Sequence, residues 1–232
     1  MQSKHAFHIH RSDENDEFFS HLEKKDGEII AASGETYSDL GDCLEAVFVF
    51  KQQAPGAPIN NREDGGPGRQ ADYEFEIYRD QSAERAWRWR FQAPNNHITM
   101  KGVQGFKSKQ AVLKAIAEVQ RIACDADVEV IADEAVDVEA CAEKGHRPPR
   151  ARKYRIRVNR EKYVMWKPKP LGREIITVAG LAPPEQYQLY QRFRGQQDTP
   201  IRLDEAVDLT CPGIERFVTV RLCVTDGEEC YA

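Results

Sequence analysis

Apolar and polar residues alternate with period two through Phe75 and Ile77, and again through Trp87, Trp89 and Phe91, where Arg88 and Arg90 face the other way. This pattern predicts half-buried antiparallel strands. Turn signals at Asp26-Gly27 and Pro94-Asn95-Asn96 close hairpins. A third short strand is followed by Tyr37-Ser38 and by Phe106-Lys107-Ser108, whose serines are placed to cap helices over 39–52 and 109–124. Val112, Leu113, Ile116 and Val119 give the second helix one apolar face. The same signals occur twice. Phe7-His8-Ile9-His10-Arg11 matches Phe75-Glu76-Ile77-Tyr78-Arg79 at an offset of 68; after one inserted residue, Phe18, Ser20 and Leu22 match Trp87, Trp89 and Phe91 at 69. Ile29, Tyr37 and Leu44 continue that register with Ile98, Phe106 and Leu113. Two βββα repeats are expected, at about 5–52 and 72–124.

From Lys153 the pattern changes. Tyr154, Ile156 and Val158 alternate with Arg155 and Arg157, Asn159-Arg160-Glu161 turns, and the chain returns through Trp166 as a hairpin. Residues 172–179 form a short helix with Ile175, Ile176 and Ala179 on one side, ended by Gly180 and barred from continuing by Pro183-Pro184. Strands follow at 187–194, 201–203 and 215–224. The order β-β-α-β-β-β is that of a β-grasp over 153–227, so the whole chain is expected to be α+β.

The segments between these regions have a different composition. Residues 53–71 hold three prolines and four glycines and read as a flexible connector. The run Gly65-Gly66-Pro67-Gly68 lacks the preceding strand and following Lys-Ser/Thr of a phosphate loop. Residues 126–142 are acidic with alternating valines, an edge strand or a helix. Residues 143–152 form a Pro-containing hinge, so 126–152 reads as a bridge between the domain 1–125 and the β-grasp.

Charge sharpens this division. The net charge of -5 conceals 17 Lys+Arg against 27 Asp+Glu in residues 1–145, 11 against 1 in 146–173, and 5 against 10 in 174–232. The basic block Arg147, Arg150, Arg152, Lys153, Arg155, Arg157, Arg160, Lys162, Lys167, Lys169 and Arg173 could neutralise phosphates, which makes a nucleic-acid module the alternative function. It could equally be the outer face of the first β-grasp strands, against which the acidic N-terminal block docks. No stretch approaches the roughly 20 apolar residues of a membrane helix. Residues 1–11 lack a signal-peptide core, so a cytoplasmic protein is expected. The six cysteines, Cys43, Cys124, Cys141, Cys211, Cys223 and Cys230, form no C-x-x-C pair and are expected to be reduced.

Other candidate chemistry is sparse. His8 and His10 share a strand face, but their spacing indicates no third ligand, and no metal site is expected. Cys223 and Cys230 have no His or Asp partner placed by a motif. Trp87-Arg88-Trp89-Arg90 reads as a buried strand with an arginine-lined outer face in preference to a base-stacking platform.

Two resemblances follow from these blocks. The F-x-I-Y-R opening, Gly27 to Ala31 and the Tyr37-Ser38 helix entry resemble the bacterial YegP-type repeat, which implies a tandem βββα fold and no established chemistry. Five further blocks are similar to the bacterial multiubiquitin-type domain: Tyr154 to Tyr163, Gly172 to Ile175, Ala179 to Leu181, Leu203 to Thr210, and Pro212 to Phe217. That resemblance implies a ubiquitin-like modifier without an active site or cofactor of its own. It would be encoded in a bacterial ubiquitination-like operon, a setting tied to antiviral defence. Its expected partners are an E1-like activating enzyme, an E2-like conjugating enzyme and a JAB-type deubiquitinase-like metalloprotease. The implied partner-binding residues are Leu189, Arg192, Arg194 and Arg221. Conjugation would use the carboxylate of Gly227, freed by cleavage before Glu228, leaving 228–232 as a removable extension. The other reading of Asp226-Gly227 is a plain turn.

Overall fold

A computed structural model describes residues 4–62, 71–82, 84 and 86–222. The chain divides into two compact units, Met1–Ala132 and Asp133–Ala232. Among the described residues no helix is long and apolar enough to cross a membrane.

In the first unit the order βββα occurs twice. It runs through β1 (Ala6–Arg11), β2 (Phe18–Glu23), β3 (Ile29–Ser33) and α1 (Leu40–Gln53), then, after β4 (Ile59–Asn61), through β5 (Glu74–Arg79), β6 (Trp87–Gln92), β7 (Ile98–Gly102) and α2 (Lys109–Ala123), closing with β8 (Asp127–Val130). All eight strands form one sheet in the order β4-β5-β6-β7-β3-β2-β1-β8. β4, which follows the first helix, lies parallel to β5 of the second set, and β8, which follows the second helix, lies parallel to β1 of the first. Each set therefore completes the other's edge. The two sets share local detail as well. Both carry a register shift at matched positions, Leu22/Glu23 and Phe91/Gln92, and a bridge from the second strand to the helix entry, Phe18 to Tyr37 and Trp87 to Phe106.

Period-two burial follows the sequence pattern. Phe7, Ile9, Phe75, Ile77, Trp89 and Phe91 are almost wholly buried. Phe50 of α1 meets Phe7, Phe75 and Phe91 edge-on at centroid distances of 6.0, 6.2 and 4.9 Å. Such aromatic contacts give the core its apolar area and a preferred geometry. Gly102 has to be glycine: a Cβ there would lie 2.5 Å from Trp89 Nε1. Ser108 caps α2 by accepting from Ala111 N–H, as the sequence indicates, whereas α1 is capped by Asp39, which accepts from Gly41 N–H; Ser38 lies one residue too early.

Two expectations about linkers are corrected. Part of the expected flexible connector is ordered, because residues 54–56 make a 3-10 turn and Ile59–Asn61 is a strand. Gln120 of α2 donates to the carbonyls of Ala54 and Ala57 and pins that turn. Gly65 to Gly68 lie outside the described residues. The acidic stretch is not one bridge: β8 belongs to the first unit, while β9 (Ala135–Asp137) and α3 (Val138–Glu143) belong to the second.

The second unit continues with β10 (Lys153–Val158), β11 (Glu161–Met165), α4 (Gly172–Val178), β12 (Tyr187–Phe193), β13 (Thr199–Ile201) and β14 (Ile214–Arg221). The sheet order is β11-β10-β14-β12-β13, with β9 added beside the start of β10. β14 is thus central, parallel to β10 and antiparallel to β12. Ile175 and Ile176 of α4 are fully buried, as are Tyr154, Leu189 and Phe217. Gly180 ends the helix at φ +73°, where a side chain would be strained. This is the β-grasp order expected from the sequence, extended at its N-terminal side by β9 and α3.

Candidate functional site

The chain leaves the β-grasp at the end of its central strand. β14 is paired with β12 as far as Arg221 opposite Tyr187, and Leu222 N–H then donates to the Gln186 carbonyl at 2.7 Å. Side chains alternate along β14. Phe217 faces the core, whereas Val220 and Leu222 are 51% and 47% exposed. An apolar pair thus sits on the surface at the point of exit. Val220 is therefore a surface residue. Gly227, the proposed Gly227–Glu228 junction, Cys223 and Cys230 lie outside the described residues.

The four expected partner-binding residues separate. Leu189 is fully buried and pairs with Thr219 and Ile201 within the sheet, so it cannot contact a partner in the folded unit. Arg192 forms a two-bond clamp on Asp198, at 2.6 Å for each bond, which holds the β12–β13 turn and keeps the Asp198 carboxyl below its usual pKa. Arg194 donates to the Glu143 carbonyl at 2.7 Å, tying α3 to the end of β12. Arg221 is exposed at the exit, 3.5 Å from Gln186 Oε1. Of the four, only Arg221 stands on the exit surface.

The basic block is largely answered from within the same unit. Lys153 pairs with Asp133 at 2.8 Å, Arg155 with Glu134 at 3.8 Å, Arg157 with Glu139 at 3.2 Å, and Lys162 with Asp137 and Glu139 at 2.8 and 3.3 Å. Lys167 pairs with Glu174 and Lys169 with Asp208. Acidic residues just before β9, in β9 and in α3 therefore cover the outer face of β10 and β11. Parallel register explains it, because Asp137 lies beside Arg155 and points to the same side. Lys153 also stacks over the ring of Trp166, 4.4 Å from its centroid; Trp166 is 72% exposed.

The remaining candidates resolve as follows. Trp89 is 1% exposed, which excludes it from stacking on bases, and Arg88 and Arg90 pair with Asp80 and Glu76. Burial pushes the Cys43 and Cys141 thiols up to about 12, so neither is a nucleophile at neutral pH. His8 and His10 share the outer face of β1, as expected, and His21 of β2 joins them. The missing signal was register. Once Arg11 pairs with Phe18 across the turn, His8 must stand opposite His21, but the length of that turn did not reveal the pairing.

Two family models match the chain, one within each unit. Residues 154–221 match the multiubiquitin family model. Residues 82–129 match a domain of unknown function, DUF1508. Among solved structures the chain is similar to the Escherichia coli protein of unknown function yegP, with 16% identity over 58% of this chain and 98% of that one, at a TM-score of 0.42. It is also similar to UPF0339 protein SO3888 from Shewanella oneidensis, with 19% identity over 58% of this chain and 95% of that one, again at 0.42. No curated protein matches the chain.

Proposed function

We propose that this protein is a ubiquitin-like modifier, attached through a processed C-terminus to targets in a bacterial ubiquitination-like pathway, with the first unit a tandem pair of YegP-like repeats carried as cargo or adaptor. The observation that carries this reading is the exit of the chain from a central β-grasp strand, beside the exposed Val220, Leu222 and Arg221. A modifier must deliver its terminal carboxylate into an activating enzyme's channel, where it is adenylated and passed to a thiol. Gly227 is the fifth residue after Leu222. Fully extended, such a segment reaches at most about 17 Å. That length lets a carboxylate enter an enzyme while the folded surface docks outside. Glycine suits the end because it has no Cβ to crowd the attacking thiol. The E1-like, E2-like and JAB-type enzymes are the partners this chemistry requires.

The alternative, a nucleic-acid module using residues 146–173, is weakened by the ion pairs made by six of its eleven basic side chains. The deciding experiment joins the chain with a cognate activating enzyme and ATP. A chain ending at Gly227 should form a thiol-sensitive adduct without a protease, whereas the full-length chain should need cutting first. Gly227→Val should block both steps, since a β-branched residue restricts the backbone and crowds the carbonyl. Conjugation through Ala232, or normal processing of Gly227→Val, would overturn the reading.

A further inference from the structure

We propose that the outer face of β1 and β2 is a binding site for a divalent transition-metal ion of the zinc class, held by His8, His10 and His21 with a carboxylate from Glu23. The three histidines each present a ring nitrogen, and these nitrogens lie within 4.8 Å of one another. Tetrahedral zinc, with bonds of about 2.0–2.1 Å, needs its nitrogens about 3.3 Å apart. Binding would draw the nitrogens together by turns about the histidine χ2 torsions, which are broad and soft. Glu23 lies between two of the ligands, 3.5 Å from His8 Nδ1 and 3.6 Å from His21 Nε2. Glu129 approaches His8 Nε2 at 3.9 Å from the neighbouring strand, placed to orient that ring.

A second observation points the same way. His10 Nε2 is a buried nitrogen with no hydrogen-bond partner. Buried polar atoms are normally satisfied, and leaving one bare costs free energy. A metal ion takes that lone pair directly. Burial, followed by the neighbouring imidazoles, pulls His10 and His21 below the ordinary histidine pKa.

The protein contains its own comparison. At the matched positions of the second repeat stand Glu76, Tyr78 and Arg90, and Glu76 faces Arg90 across β5 and β6 as His8 faces His21 across β1 and β2. Glu76 there pairs with Arg90 and Arg62, and Arg90 lies 5.1 Å from the centroid of the Tyr78 ring. That half of the sheet neutralises its buried charge with arginine. The first half places three imidazoles and two carboxylates at the same station, a donor set matched to a cation from outside. A clustering of rings for packing alone is the competing account, since His10 also stacks on Phe19 at 5.4 Å.

The test uses the metal-stripped full-length protein, titrated with ZnCl2 by calorimetry and with Co2+ by visible absorption near neutral pH. One equivalent should bind, and the cobalt spectrum should show nitrogen and oxygen ligation without thiolate charge-transfer bands. Loss of an outer ligand partner weakens metal sites about 10–100-fold, so His21→Gln and His8→Gln should each weaken binding at least about a hundredfold. His97→Gln, on a different hairpin, should leave it unchanged. Circular dichroism and melting of the metal-free variants establish that they fold; should His21→Gln fail there, His8→Gln decides alone. Absence of stoichiometric binding at micromolar free zinc, thiolate bands in the cobalt spectrum, or equal affinity in a folded His8→Gln variant would overturn the proposal.

Discussion

Val136 of β9 lies beside Tyr154 of β10 in parallel register, and both are fully buried. The Tyr154 hydroxyl turns back to donate to the Pro149 carbonyl at 3.0 Å and accepts from Ala151 N–H at 2.8 Å. The residues just before the β-grasp are thereby built into it. Val138, Cys141 and Ala142 of α3 are buried in the same unit.

Limited proteolysis should accordingly yield a resistant C-terminal fragment that begins near Asp133. A fragment cut at Lys153 would uncover Tyr154 and lose four ion-pairing acids, Asp133, Glu134, Asp137 and Glu139. Removing Val136 and Val138 alone forfeits roughly 1.5–3 kcal/mol of burial for each, a large share of a small domain's stability. Chains starting at 133 and at 153 should differ in melting temperature by well over about 5 °C. Equal melting would mean that β9 and α3 are peripheral.

Two neighbours on β14 should respond oppositely to the same change. Phe217→Asp places a charge in the core and should cost several kcal/mol, enough to unfold the unit. Val220→Asp sits on the half-exposed surface and should shift stability by no more than about 0.5 kcal/mol. Chemical denaturation of both variants measures this, and a severe loss in Val220→Asp would show that the exit surface is covered in the folded protein.

Removing the acids should unmask the basic strand face. Asp133→Asn, Glu134→Gln, Asp137→Asn and Glu139→Gln together free Lys153, Arg155, Arg157 and Lys162 from their ion pairs. The combined variant should elute from heparin at distinctly higher salt than the parent, because each added phosphate or sulfate contact steepens the salt dependence. If the parent already binds duplex DNA tightly and with steep salt dependence, the nucleic-acid reading regains its standing.

The sequence by itself determined most of the element types and the β-grasp order of the second unit. Those depend on periodicity, capping and turn residues, which act over a few positions. The alternation in Trp87, Trp89 and Phe91, the cap at Ser108 and the stop at Gly180 were all legible for that reason. The tertiary structure alone decided which strand each isolated run joins. Ile59–Asn61 and Ala135–Asp137 are three residues long, too short to carry a period, and they become strands because β5 and β10 offer unpaired backbone groups. Leu189 is buried where a partner-binding residue was expected for a similar reason: a period-two pattern marks two faces, and only packing against α4 and the rest of the core chooses between them. The three histidines illustrate the same limit. His8 and His10 are adjacent in sequence and visible as a pair, but His21 joins them only through strand register, a long-range hydrogen-bonding choice that no local pattern encodes.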